Sequence, residues 1–154
     1  MHTATPNLVF RDASAAIAFY QRAFGASEVR RMPRPDGRGV WHAEIQIGDS
    51  ILYLADEVPG SLVRAPSPES PGTVSIWLYV EDCEAAFRRA VEAGARVVMP
   101  LREMFWGDRF GMVVDPFGLA WAVATRVREV PPEELRRAAG TASAMPTPPA
   151  SSLQ

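Results

Sequence analysis

At 154 residues, with 47% hydrophobic residues, 16 arginines, no lysine, 18 acids and a net charge of −2, the chain can bury the core of one ordinary domain, or of two small repeated halves sharing a sheet. Its arginines are scattered among acids, which excludes a basic stripe able to neutralise a run of phosphates, and no apolar run approaches the ~20 residues of a membrane helix. The lone Cys83 excludes an internal disulfide and a cysteine-based zinc site. MHTATPNLVF does not read as a signal peptide, so the expectation is a soluble, cytoplasmic protein with no nucleic-acid or membrane partner.

In chain order, Asn7–Phe10 reads as a short strand. DASAAIAFYQRAFGA follows from Asp12, with Asp12 able to cap a helix N-terminus and Gly25 standing where the helix should stop. Ala13, Ile17, Tyr20 and Phe24 form one apolar stripe. Strand-like runs come next at Ser27–Met32, Val40–Ile47 and Ile51–Ala55, separated by Pro35-Asp36-Gly37 and Gly48-Asp49. The pattern then repeats. Val74–Val80 is strand-like, DCEAAFRRAVEAGA begins at Asp82 with Gly94 as its stop, and strands follow at Arg96–Met99, Phe110–Val114 and Leu119–Thr125. Asp115-Pro116-Phe117-Gly118 supplies the last turn. The predicted organisation is a first module over residues 1–58, a linker over 59–72, a second module over 73–127, a short terminal helix over 128–140 and a disordered tail over 141–154. The tail is uncharged and rich in Ala, Ser, Thr and Pro.

Alternation assigns strand faces. Trp41, Ala43, Ile45 and Ile47 should face the helices, as should Val74, Ile76, Leu78 and Val80, and Trp41 and Trp121 should be core. The opposite faces carry Val40, His42, Glu44 and Gln46 in one module and Ser75, Trp77 and Tyr79 in the other, a mixture of aromatic walls and polar groups that suits a small-molecule pocket.

The duplicated strand–helix–strand–strand–strand unit, with AIAFYQRAFGA, HAEIQIGDSILYLADE, YVEDCEAAFRRAVEAGA and FWGDRFGMVVDPFGLAW, resembles the vicinal oxygen chelate superfamily: glyoxalase I, bleomycin-resistance proteins, fosfomycin-resistance enzymes and extradiol dioxygenases. The resemblance covers about Thr5 to Thr125. It implies an α+β fold in which two tandem βαβββ modules form a curved mixed sheet around a cavity, with helices on the outer face, commonly as a homodimer. The metal-dependent members carry His, Gln or Glu on the opening and closing strands. The matching positions here are Thr5 or Asn7, Tyr53 (or Leu52), Ser75 and Ala122. A divalent metal held by His and carboxylate needs about three converging ligands with ~2.0–2.6 Å bonds. The expectation is therefore no metal and no other cofactor, with a divalent metal disfavoured.

Each candidate residue has two readings. His42 and Glu44 share a strand face, either as an acid–base or metal pair or as a polar pair lining a wall. Asp56-Glu57 either places a carboxylate at the pocket mouth or begins the linker. Asp108 and Arg109 either hold a ligand's anionic group or brace their loop. Trp106 and Phe105 either close over a ligand or pack on a neighbouring subunit. Trp77 and Tyr79 either stack on a flat ligand or fill the cavity. Cys83, at the start of the second helix, is either a dipole-favoured thiolate or a small core residue. The expected function is metal-independent small-molecule binding, with an antibiotic among the ligand classes, through His42, Glu44, Tyr53, Ser75, Trp77, Tyr79, Trp106, Arg109 and Ala122. A lyase, isomerase or dioxygenase-like enzyme centred on His42 and Glu44 is one alternative. A dimer without a deep pocket is another.

Overall fold

Asp12 and Asp82 open the two long helices in the same way. Asp12 accepts the Ala15 amide at 2.9 Å and Asp82 accepts the Ala85 amide at 3.0 Å, each satisfying a donor that the first helical turn leaves free. The helices are α1 (Ala13–Phe24) and α2 (Cys83–Ala93). Gly25 ends α1 at φ 67°, a left-handed value that glycine adopts without steric cost. Around them lie β1 (Asn7–Phe10), β2 (Ser27–Pro33), β3 (Val40–Ile47) and β4 (Ser50–Asp56), then β5 (Ser75–Tyr79), β6 (Arg96–Glu103), β7 (Asp108–Val114) and β8 (Ala120–Arg126), with α3 (Pro132–Thr141) last. This computed structural model describes residues 2–141. Thr141, expected to open the tail, is the last residue of α3, and the rest of the predicted tail lies outside the described residues.

The α+β class and the duplicated βαβββ order are as expected. The strands form two four-stranded mixed sheets, ordered β1-β4-β3-β2 and β5-β8-β7-β6, not one continuous sheet. In each sheet the first and last strands of the module pair in parallel and the remaining pairs are antiparallel. This leaves β1 and β5 as edges. Helices α1 and α2 pack on each other. One core joins the helix-facing side chains of both units, with Phe10, Phe19, Tyr20, Leu54, Val113 and Trp121 among them. The sheet faces opposite the helices carry His42, Glu44 and Tyr53 in the first module and Ser75, Trp77 and Tyr79 in the second.

Three strand-face expectations are corrected, those for Trp41, Val40 and Val74. Trp41 is 60% exposed. Between the pairs Met32–His42 and Pro33–Val40, two steps along β3 oppose one along β2. That bulge turns Trp41 out of the alternation and gives its inward place to Val40, which is buried. Val74 precedes β5 and is exposed. Asp56 belongs to the strand and not to the linker, and it borders a small cavity of about 270 Å³ with Val40, Trp41 and Val58, apart from the aromatic cleft. It ends β4 and accepts the Ala13 amide at 2.7 Å and the Val40 amide at 2.6 Å, fastening the start of α1 to the start of β3. Cys83 is buried.

Candidate functional site

The second module gathers three of the expected aromatic residues into one cleft. Trp77, Tyr79 and Trp106 line it with Asp108, Arg126, Glu129, Val130 and Leu135, and its volume is about 500 Å³, within the usual range of ligand sites. Trp77 and Tyr79 alternate with Ile76 and Leu78 along β5, so the pleat sends them to the face without a helix. They remain 42% and 52% exposed. Trp77 stacks on Phe110 with centroids 5.0 Å apart, and Trp106 lies 5.6 Å from the same ring. Phe110, Ala122, Ala124 and Met99 form a small buried cluster with which Trp106 and Met112 pack.

Asp108 organises the cleft. It is 1% exposed. Its Oδ2 accepts the Tyr79 hydroxyl at 2.8 Å and the Trp106 indole N–H at 3.1 Å, and its Oδ1 accepts Arg126 Nε at 2.5 Å. A buried carboxylate is tolerated when paired and hydrogen-bonded in this way. The bond to Asp108 raises the Arg126 pKa. Burial is the main cause of the raised Tyr79 pKa, with the bond to Asp108 adding to it. The Arg126 guanidinium lies 5.8 Å from the centroid of the Tyr79 ring.

The cleft's remaining wall comes from the C-terminal segment. Gly107 sits in the β6–β7 turn at φ 97°, and its carbonyl accepts the Val127 and Arg128 amides at 2.9 and 3.1 Å. The chain leaving β8 is thereby laid across that turn, bringing Glu129, Val130 and Leu135 to the cleft.

Other expected site residues are placed elsewhere. Ser75 and Ala122 share the second sheet with the cleft; Ala122 stands opposite Trp77 and is fully buried. Arg109 is not a cleft residue. It neighbours Asp108 on β7, so the pleat directs it to the other face, where it pairs with Glu84 of α2. Asp108 and Arg109 therefore brace the loop through different partners, not through each other. His42, Glu44 and Tyr53 form a separate group on the first sheet. His42 Nε2 lies 3.4 Å from Glu44 Oε1, the Tyr53 ring meets the imidazole edge-on at 4.7 Å, and Arg30 approaches Glu44 at 3.8 Å. Within one chain this group does not line the aromatic cleft. A further cavity of about 530 Å³ is lined by Phe24, Leu52 and Trp121 together with β5, including Trp77 and Tyr79.

A metal of the kind the fold's enzymes use does not fit these donors. Asn7 stands opposite Tyr53, Ser75 opposite Ala120 and Trp77 opposite Ala122, so the expected ligand positions offer an amide, hydroxyls and a methyl group. Among the described residues no three His, Cys, Asp or Glu side chains converge on a common point.

The sequence profile of the Glyoxalase/Bleomycin resistance protein/Dioxygenase superfamily matches residues 2–123. An uncharacterized protein of Mycobacterium bovis, Mb0911c, is 43% identical over 137 residues, covering 87% of this chain and 90% of that one. Protein PA1353 of Pseudomonas aeruginosa superposes with a TM-score of 0.65 at 27% identity, over 82% of this chain and 98% of its own. TioX of Micromonospora sp. ML1 shares the fold with a TM-score of 0.62 at 23% identity, over 84% of this chain and all of its own. With this profile match, the duplicated βαβββ modules place the chain in the Glyoxalase/Bleomycin resistance protein/Dioxygenase superfamily.

Proposed function

We propose that the protein binds a planar aromatic small molecule in the cleft of the second module, without a metal. The observation that carries this reading is the cleft of about 500 Å³ lined by Trp77, Tyr79 and Trp106, two of which, Tyr79 and Trp106, are hydrogen-bonded to the buried Asp108. The aromatic side chains are held in place before any ligand arrives, which lowers the ordering cost of binding. Trp77 lies flat on Phe110 and leaves that space open, which counts against the pocketless alternative. Aromatic antibiotics are among the ligands such a cleft suits. The test is a fluorescence-quenching screen of planar aromatic compounds on chelator-treated protein. Saturable quenching that is lost in Trp77→Leu supports the reading; quenching that is the same in both proteins overturns it.

The enzymatic alternative has its own observation, the His42–Glu44 contact beside Tyr53. Turnover abolished by His42→Ala would favour it, whereas unchanged binding by that variant is the outcome expected of the cleft. The proposal includes a homodimer, supported by the unpaired edges of β1 and β5, since exposed strand edges invite pairing with another chain. It also includes a cytoplasmic location, supported by the single buried cysteine; no described helix is long and apolar enough to cross a membrane.

A further inference from the structure

We propose that the cleft selects an aromatic anion, whose carboxylate or phenolate is received by Arg126, and that Glu129 occupies this place in the free protein. The inference rests on the reading that the cleft binds an aromatic ligand, and adds the charge of that ligand and the residue that recognises it.

Asp108 is buried, and its two oxygens already take three donors. A ligand therefore meets the groups that Asp108 holds and not the carboxylate itself. Arg126 uses Nε for Asp108, while its side chain stays 48% exposed and lines the cleft beside Trp77, Tyr79 and Trp106. A guanidinium is a planar fork of five donors. Nε is committed to Asp108 and the guanidinium also interacts with the Tyr79 hydroxyl, which leaves Nη1, 3.7 Å from Glu129, to receive an oxygen acceptor. The cleft thus pairs aromatic walls with an anchored, permanently charged hydrogen-bond donor.

The chain itself supplies a weak occupant for that donor. Glu129 Oε1 lies 3.7 Å from Arg126 Nη1 and its side chain is 90% exposed. An ion pair this open and long contributes little, so a competing anion displaces it at small cost. Nearby, Arg128 is engaged by Glu134 at 2.9 Å, leaving Arg126 as the cation that lines the cleft. A ligand carboxylate, partly desolvated against the aromatic walls, gains more from the guanidinium than the exposed Glu129 does.

The test compares three probes of one shape, 2-naphthoate, 2-naphthamide and 2-naphthylmethylammonium, titrated into the full chain while the indole N–H signals of Trp77 and Trp106 are followed by NMR. Naphthoate is expected to shift both signals and to bind about tenfold more tightly than the amide, the size of one charge-assisted hydrogen bond, with the ammonium weakest. Arg126→Gln should remove the preference. Glu129→Gln, at an exposed position, should strengthen naphthoate binding severalfold and by more than it alters binding of the amide. It decides the matter if Arg126→Gln fails to fold. Equal binding of naphthoate and naphthamide in both the native protein and Glu129→Gln would overturn the inference and leave the aromatic cleft standing. Tightest binding of the ammonium would also overturn it, with Glu129 as the receptor. If none of the probes shifts Trp77 or Trp106, the cleft reading falls as well.

Discussion

The Tyr20 hydroxyl on α1 donates to Asp115 Oδ2 in the β7–β8 turn at 2.6 Å, tying the first module to the second through two buried side chains. Asp115 also accepts the Trp121 indole at 3.0 Å and the Phe117 and Leu119 amides, each at 2.9 Å. Tyr20→Phe keeps the ring packed against Phe10, Phe24 and Trp121 and removes only the hydroxyl. The expected loss is ~1.5–3 kcal/mol, the range for a hydrogen bond to a charged group. Urea denaturation measures it, and a change below about 0.5 kcal/mol would mean that this bond does not hold the modules together.

The same carboxyl gives a pH dependence of defined sign. Burial lifts the Asp115 pKa above the ordinary aspartate value of 3.8 although its four donors pull it down. Between 3.8 and the raised value the native state binds more protons than the unfolded chain, so this group's contribution is complete below 3.8 and is lost as pH rises through the raised value. The stability of the native protein relative to Asp115→Asn should therefore increase as pH falls from 7 towards 4, read from urea midpoints. Because the Tyr20 bond favours the charged form, Tyr20→Phe should push the Asp115 pKa up further. A difference that stays constant or shrinks on acidification would contradict this assignment.

Gly107 is the hinge on which the C-terminal wall rests. At φ 97°, a Cβ there would lie 2.3 Å from the Arg128 carbonyl oxygen. Gly107→Ala therefore combines backbone strain with a clash against the segment it anchors, for an expected cost of ~1–3 kcal/mol. The loss should be local first: limited proteolysis should cut within residues 127–141 faster in the variant, while the Trp121 environment stays native. Equal cleavage rates would show that the segment is held by other contacts.

The two tryptophans that alternation assigned to the core separate cleanly. Trp121→Ala empties a fully buried site that touches Tyr20 and Phe24 and should cost ~3–5 kcal/mol. Trp41→Ala removes an exposed ring and should change stability by no more than about 0.5 kcal/mol. Thermal unfolding of both variants decides this. A large loss for Trp41 would mean that the ring is covered by another chain.

Trp41 also marks where the sequence stops being readable. Period-two alternation carries as far as Ala43 and says nothing of a bulge, which depends on how β2 and β3 twist together. The duplicated modules were legible because Asp12 and Asp82, with Gly25 and Gly94, mark the same helix ends in both. The strand face of Trp77 and Tyr79, away from the helices, was legible from alternation, and the structure sets them with Trp106 around one cleft. The Asp108–Arg126 pair was missed although a signal existed. Counting back along the hairpin from Val114 opposite Ala120 brings Asp108 opposite Arg126. Glu129, Val130 and Leu135 carried no such signal, since their approach depends on two amides returning to the Gly107 carbonyl, a contact set by tertiary path alone.

The most direct test of the account is an isothermal titration of 2-naphthoate and 2-naphthamide into the dialysed protein, before and after chelator treatment, with metal content measured in both samples. Metal-free binding in the second-module cleft predicts saturable association of one ligand per chain, with the same affinity in both samples and no stoichiometric divalent metal. A stoichiometric metal whose removal abolishes binding, or no binding of either compound, would contradict it.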